Sequence, residues 1–262
     1  MGKYYSQKVT GEEMYQFFVE PENICGNQIV ITGDDVNHIK NVLRMKTGEE
    51  IAVSNGIDGK EYRCAIEEIG EEVLCKLLFI KEDGVELPSE VVIFQGLPKG
   101  DKMEMIIQKT VELGICEIVP VATSRCVVKL DAKKEKSKLQ RWQSIAEAAA
   151  KQSKRRYVPQ VSSVMSFKEA LSYAKTMDVL LIPYEMAEDM PYTRSIIENI
   201  KPGQKVGFFI GPEGGFDEKE IEIAKESGVI PITLGKRILR TETAGLTLLS
   251  WIMYQLEGKD ID

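Results

Sequence analysis

Two stretches of the sequence combine residue types suited to holding a small polar ligand. Gly211-Pro212-Glu213-Gly214-Gly215-Phe216 places three glycines in five residues directly after the apolar run 206–210. Glycine tolerates positive φ and lets backbone come close to a ligand, so this stretch suits recognition by amides and carbonyls. Residues 235–244, GKRILRTETA, follow a second apolar run at 229–234. There Arg237, Arg240 and Glu242 flank Ile238 and Leu239, where a segment that only packed would need no charges. Known phosphate loops fit poorly: GPEGGF is not GxGxxG, and GxxxxGK[ST] does not occur. A tight strand-to-helix turn would account for the glycines taken alone. Arg240 and Glu242 could equally pair with each other and shape only their own loop.

Both stretches need strands to end on. Residues 91–97 form a continuous apolar run, followed by Met103, Ile106, Ile107 and Val111 at helical spacing. Strands are expected at 117–122, 179–183, 205–210 and 229–234. A long helix is expected over 133–152, turning Leu139, Trp142, Ile145, Ala146 and Ala149 inward. Strands alternating with helices imply an α/β domain with a mostly parallel sheet covered on both faces. Ligands of such sheets bind beyond the carboxyl ends of the strands. Asp217 with Glu220 is a capping box that starts the next helix. The last helix, 244–256, is apolar nearly all the way round and must be buried in the core or against a second chain.

Residues up to about 75 read differently. Strand-like pieces at 28–32, 50–54, 60–69 and 72–80 surround Asp58-Gly59, a strong hairpin signal. The charged stretch 81–90 carries Gly84 and Pro88 and is the expected linker. The division is therefore a small β-rich domain over 1–80, the linker, and an α/β domain over 91–262.

Composition removes several function classes. Cys25, Cys64, Cys75, Cys116 and Cys126 form no CxxC pair and are odd in number, as in a reduced cytosolic protein. His38 is the only histidine, which excludes a multi-histidine metal centre, and no carboxylates have EF-hand spacing. Metal catalysis is not expected. No apolar run has the length to span a bilayer, and the first fourteen residues lack the apolar core of a secretory signal. The net charge of −7 argues against nucleic acid as a partner, but its distribution argues the other way. Residues 123–159 carry eleven Lys/Arg against three Asp/Glu, a local +8. That is the footprint of a phosphate-backbone contact, or of a lysine-rich solvated helix face.

The motifs together resemble a known family. GPEGGF followed by LGKRILRTETA is similar to the cofactor-binding signature of the SPOUT methyltransferases. More closely, the chain resembles the bacterial 16S ribosomal RNA uridine methyltransferases that act on ring nitrogen-3. His38-Ile-Lys-Asn-Val-Leu-Arg44 with Gly48 is similar to that family's N-terminal RNA-binding domain. Gln108-Lys109, Glu112-Leu113-Gly114 and Ile118-Val119-Pro120 match the start of its catalytic domain. Arg141-Trp142, Ala148-Ala149, Gln152-Ser153, Arg155 and Val158-Pro159 continue the motif order. Lys154 departs from the family, which often has glycine there.

The resemblance implies a small PUA-like β-barrel ahead of an α/β domain with a C-terminal deep trefoil knot. The knot comes from the resemblance alone, because knotted chains are exceptions to the ordinary connection rules. It also implies S-adenosylmethionine bound by Ile210, Gly211, Pro212, Glu213, Gly214, Gly215, Leu234, Gly235, Ile238, Leu239, Arg240, Thr243 and Ala244. Arg155, Arg240 and Glu242 become the catalytic candidates. His38, Arg44, Lys134, Lys136, Lys138, Arg155 and Arg156 become the RNA contacts, although His38 also reads as an ordinary domain histidine and Arg155 as a plain phosphate contact. A homodimer, 16S rRNA or the small ribosomal subunit as partner, and a cytoplasmic location complete the expectation. Two other readings remain: a ribose 2′-O-methyltransferase of the same superfamily on tRNA or rRNA, and a catalytically silent RNA-binding assembly factor. Methyl transfer from a sulfonium to an imide nitrogen is an in-line displacement that needs aligned reactants and no metal. A guanidinium near the uracil oxygens would favour the deprotonated ring. No residue is marked by the sequence as proton acceptor.

Overall fold

A computed structural model describes residues 14–81, 84–187 and 189–257; the opening residues 1–13, where the absence of a secretory signal was read, lie outside them. The chain divides into two compact units between Gly84 and Val85.

The N-terminal unit holds β1 (Gln16–Phe18), β2 (Ile24–Cys25), β3 (Gln28–Ile31), β4 (Glu50–Ser54), β5 (Glu61–Ile69) and β6 (Val73–Lys81). They form one curled sheet in the order β1-β4-β5-β6-β3-β2. β1 runs parallel to β4, and every other pair is antiparallel. Alternate residues of a strand share a face, so Ile29 and Ile31, Ile51 and Val53, Cys64 and Ile66, and Val73 and Cys75 join Phe17 in one buried cluster. The turn expected at Asp58-Gly59 joins β4 to β5, and the Asp58 carboxylate accepts from Lys60 N (2.9 Å) and the Tyr62 hydroxyl (2.6 Å). Helix α1 (Asp34–Asn37) runs into a π-helical turn, His38–Leu43, that buries Ile39 and leaves His38 exposed.

The C-terminal unit alternates strands and helices from β7 (Glu90–Gly96) onward. Its helices are α2 (Lys102–Glu112), α3 (Ala132–Gln152), α4 (Phe167–Ala174), α5 (Met190–Glu198), α6 (Glu218–Glu226) and α7 (Thr241–Glu257). Its other strands are β8 (Glu117–Ala122), β9 (Gln160–Val161), β10 (Met165–Ser166), β11 (Val179–Pro183), β12 (Lys205–Ile210) and β13 (Ile230–Ile232). The sheet order is β10-β8-β7-β12-β11-β13, with β9 also on β8, and all pairs are parallel. β7 lies between β8 and β12, which explains why its residues 91–96 are buried without alternation. One face is closed by α4 and α6, whose Phe167, Ala170, Ile221 and Ala224 pack with Phe94, Val119 and Phe209. On the other face Gly245 of α7 lies against Ile93 and Ile210.

Helix α7 is less enclosed than its composition suggests. Gly245, Leu248, Leu249, Ile252 and Leu256 are buried along one stripe, while Tyr254 on the opposite side is 80% exposed. Cys25 is exposed and the other four cysteines are buried or half-buried, all of them free thiols.

The turn after α3 settles the Lys154 departure. Lys154 adopts φ +58°, a left-handed conformation that glycine takes without steric cost, so a glycine preference there has a backbone cause. The turn drives Arg155 inward to 4% exposure. Its guanidinium pairs with Glu86 (2.5 Å) and donates to the carbonyls of Val111 (3.2 Å) and Ile115. Glu86 also accepts from the backbone N–H of Arg156 (2.9 Å). Residues 86 and 87 are thus packed on the C-terminal unit, with Leu87 directly under Gly114.

Candidate active site

The carboxyl ends of β11, β12 and β13 open onto a cleft of about 690 Å³. Both glycine-bearing stretches line it. Of the thirteen residues expected to hold the cofactor, all but Thr243 contribute to the wall. Thr243 is exposed on the first turn of α7.

The 211–215 turn is built by two different glycine requirements. A Cβ on Gly211 would lie 3.0 Å from Gly215 Cα and C, so the turn closes only with a bare backbone there. Gly215 has open space around its missing Cβ but adopts φ +65°. Conformation, not space, is therefore what requires glycine at this position. Gly215→Val should abolish cofactor binding by forcing the turn open, because a β-branched residue at this φ is a severe outlier. Gly215→Asn, which tolerates the left-handed region, should keep most of the affinity by calorimetry.

Polar contacts tie the second stretch to the first. Thr241, at the start of α7, donates from Oγ1 to the Gly211 carbonyl (2.7 Å) and accepts from Gln95 Nε2 (2.9 Å). Gln95 is fully buried near the end of β7, so three elements are locked at one point. The expected capping box is present: Glu220 accepts from Asp217 N (2.9 Å), and its other oxygen accepts from Ser124 N (2.8 Å). The same carboxylate thereby starts α6 and anchors the segment after β8. That segment also lays Arg125 on the Gly214 carbonyl (3.2 Å).

Charge is arranged unevenly around the cleft. Glu213 accepts from Lys99 N (3.2 Å) and from Lys102 Nζ (2.8 Å). Burial pushes the Glu213 carboxyl up, but the hydrogen bonds from Lys102 and the backbone outweigh it and hold its pKa below the ordinary carboxylate value. Its hydrogen bond to Glu213 raises Lys102 above an ordinary lysine, so both remain charged at neutral pH. Lys102 Nζ also lies 3.5 Å from Glu242 Oε2. Lys236, Arg237 and Arg240 are exposed at the wall, and between them Ile238 is 95% exposed.

Three kinds of residue were not legible in the loops: Lys102, Arg125 and the pair Tyr184-Glu185 all line the cleft. Tyr184 and Glu185 directly follow β11, so the rule that ligands sit beyond strand ends could have found them. Lys102 and Arg125 arrive from distant elements and carried no signal.

The structure brings Arg240 to the cleft, with Glu242 on the adjoining turn. It does not bring Arg155. The expectation that Arg155 faces RNA or substrate is corrected: its guanidinium is enclosed beside the Ile115 carbonyl, just ahead of the amino end of β8, whereas the cleft lies at the carboxyl ends. Arg156 is likewise enclosed, at 1% exposure. Lys134 and Lys136 are exposed on α3, Lys138 is half-buried, and His38 and Arg44 are exposed on the N-terminal unit. Among the described residues, no three His, Cys, Asp or Glu side chains converge as a metal site.

Each of the two units matches a known domain family. An RNA methyltransferase domain covers residues 85–253 and an RNA methyltransferase PUA domain covers residues 31–85, so the chain belongs to the RNA methyltransferase family. Within it, the chain is similar to ribosomal RNA small subunit methyltransferase E of Bacillus subtilis. The two are 42% identical over 231 residues, covering 87% of this chain and 90% of that protein. The protein of the same name from Mesomycoplasma hyopneumoniae is 36% identical, over 90% of this chain and 98% of its own length. The crystal structure of ribosomal RNA small subunit methyltransferase E from Neisseria gonorrhoeae, bound to S-adenosyl methionine, aligns with a TM-score of 0.79 at 33% identity. That alignment covers 92% of this chain and 97% of the other.

Proposed function

We propose that the chain is an S-adenosylmethionine-dependent methyltransferase of ribosomal RNA that methylates ring nitrogen-3 of a uridine in the 16S molecule. The observation that carries this reading is the convergence of both glycine-bearing stretches on one cleft at the carboxyl ends of the strands. The relatives' names point to small-subunit rRNA, and the uridine nitrogen is the finer step that the motif resemblance adds.

The residues present fit the cofactor. The 211–215 turn and the 234–240 stretch offer amides and carbonyls, and Tyr184 offers an aromatic face. When bound, S-adenosylmethionine supplies an electrophilic methyl group. The ring nitrogen loses its proton and its electron pair takes the methyl carbon, while the carbon–sulfur pair returns to sulfur. Arg240, exposed at the wall, is suited to stabilise the ring oxygens as they gain charge. Glu242 is the carboxylate nearest Arg240 in the chain and is the candidate acceptor for the proton. The test is mass spectrometry of nucleosides after incubating unmethylated 16S rRNA, or small subunits carrying it, with protein and cofactor. 3-Methyluridine is expected; ribose methylation would favour the 2′-O reading, and no product would favour a silent RNA-binding module.

RNA affinity on this reading comes from α3 and from His38 and Arg44 of the N-terminal unit. Reversing Lys134, Lys136 and Lys138 to glutamate should reduce the slope of log affinity against log salt by roughly 2–3, without altering cofactor binding. An unreduced slope would move the RNA surface elsewhere. The outer side of α7, with Tyr254 at its centre, is the proposed homodimer contact, and the tie from Thr241 to Gly211 supports a knotted crossing of the two stretches. Light scattering should give twice the 29.4 kDa chain mass; a monomer at micromolar concentration would reject the dimer. Among the described residues no helix is long and apolar enough to cross a membrane; the cytoplasmic location proposed here rests on the ribosomal substrate.

A further inference from the structure

We infer that Lys102 is a positioning residue for the cofactor: its ammonium pins the 211–215 turn to the start of α7 and so fixes the width of the cleft. Lys102 is the first residue of α2, an element that contributes nothing to either glycine-bearing stretch. Its Nζ nevertheless lies 2.8 Å from Glu213 in the first stretch and 3.5 Å from Glu242 beside the second. Lys102 and Glu213 both line the cleft.

The two carboxylates depend on this one cation. Glu242 Oε2 is enclosed and accepts no hydrogen bond among the described residues, so the nearby ammonium is what offsets its charge. Glu213 has Lys99 N in addition, but a neutral amide does not cancel a full charge. Without Lys102 the two carboxylates would repel across the boundary between the stretches. The glycines that make the 211–215 turn compact also leave it few side chains to hold it. The turn is therefore steered from outside, and Lys102 is the charged group that reaches both sides.

This role rests on the reading of the cleft as the S-adenosylmethionine site, and the test separates the two. Titration calorimetry of the full chain with S-adenosylmethionine is the measurement. If the wild type binds no cofactor, the site reading fails and the pin is not at issue. If it binds, Lys102→Met should raise Kd about fivefold, the upper end of what a partly exposed ion pair contributes. Lys102→Arg, which keeps the charge, should stay within about twofold of wild type. Steady-state kinetics with RNA should show the Lys102→Met effect in KM for the cofactor far more than in kcat. A Lys102→Met protein that keeps wild-type Kd, or a loss that Lys102→Arg shares in full, would overturn the pin.

Discussion

Arg155→Ala is expected to destabilise the C-terminal unit by about 3–5 kcal/mol, the usual cost of leaving a buried charge without its partner. Arg155 is 4% exposed and joins Glu86 to the carbonyls of Val111 and Ile115, so one truncation takes the charged partner from Glu86 and a donor from each carbonyl. Urea unfolding should show the loss as a lower midpoint with an unchanged slope. Arg155→Lys should recover little, since one ammonium cannot both reach Glu86 Oε2, where Nε and Nη2 converge at 3.0 and 2.5 Å, and supply the two carbonyls that Nη1 serves. Adding Glu86→Ala to Arg155→Ala should cost far less than the sum of the two, because the carboxylate is no longer buried opposite nothing. If Arg155→Ala is as stable as wild type and loses single-turnover rate at saturating RNA, the arginine acts in chemistry after all.

Arg240→Ala should produce the largest loss of activity. With Arg155 enclosed near the amino end of β8, Arg240 is the catalytic arginine candidate that lines the cleft. Removing a donor that stabilises developing negative charge costs roughly 10²–10³ in the chemical step. Single-turnover methylation at saturating RNA and cofactor should fall by that factor, while the urea midpoint stays put because Arg240 is exposed. A rate within about threefold of wild type would leave Arg237 and Lys236 to be tested in the same way. A loss confined to cofactor affinity would make Arg240 a binding residue only.

Much of this frame can be read from the residues alone, for identifiable reasons. β4, β8, β11 and β12 have the bounds that apolar patterning dictates, because turn residues or charges stand at both ends of each. The capping box of α6 is a local three-residue motif and needed no tertiary information. β1, β9 and β10 escaped notice because strands of two or three residues have no period to detect. The misplacement of Arg155 has a similar cause. A basic segment with Gln152 and Ser153 looks like a surface, and nothing local announces that Glu86, from the stretch read as a linker, is its partner. The cleft was legible in its backbone and illegible in its charges. Glycines and strand ends mark the 211–215 turn, but Lys102 and Arg125 are placed by the fold.

The order of strands also sets when this unit can fold. β7 pairs with β8 soon after both are made, but its other neighbour is β12, on the order of a hundred residues further along. β11 then needs β13, and the Gln95–Thr241–Gly211 lock needs the first residue of α7. During synthesis β7 therefore waits with one edge open and its apolar residues uncovered until most of the chain has emerged. Closing such long-range parallel pairs is slow compared with forming local contacts. The β-rich unit has no such wait, since every strand in its sheet is made before residue 82. A newly made chain is thus folded at its first unit well before it has a cleft at all.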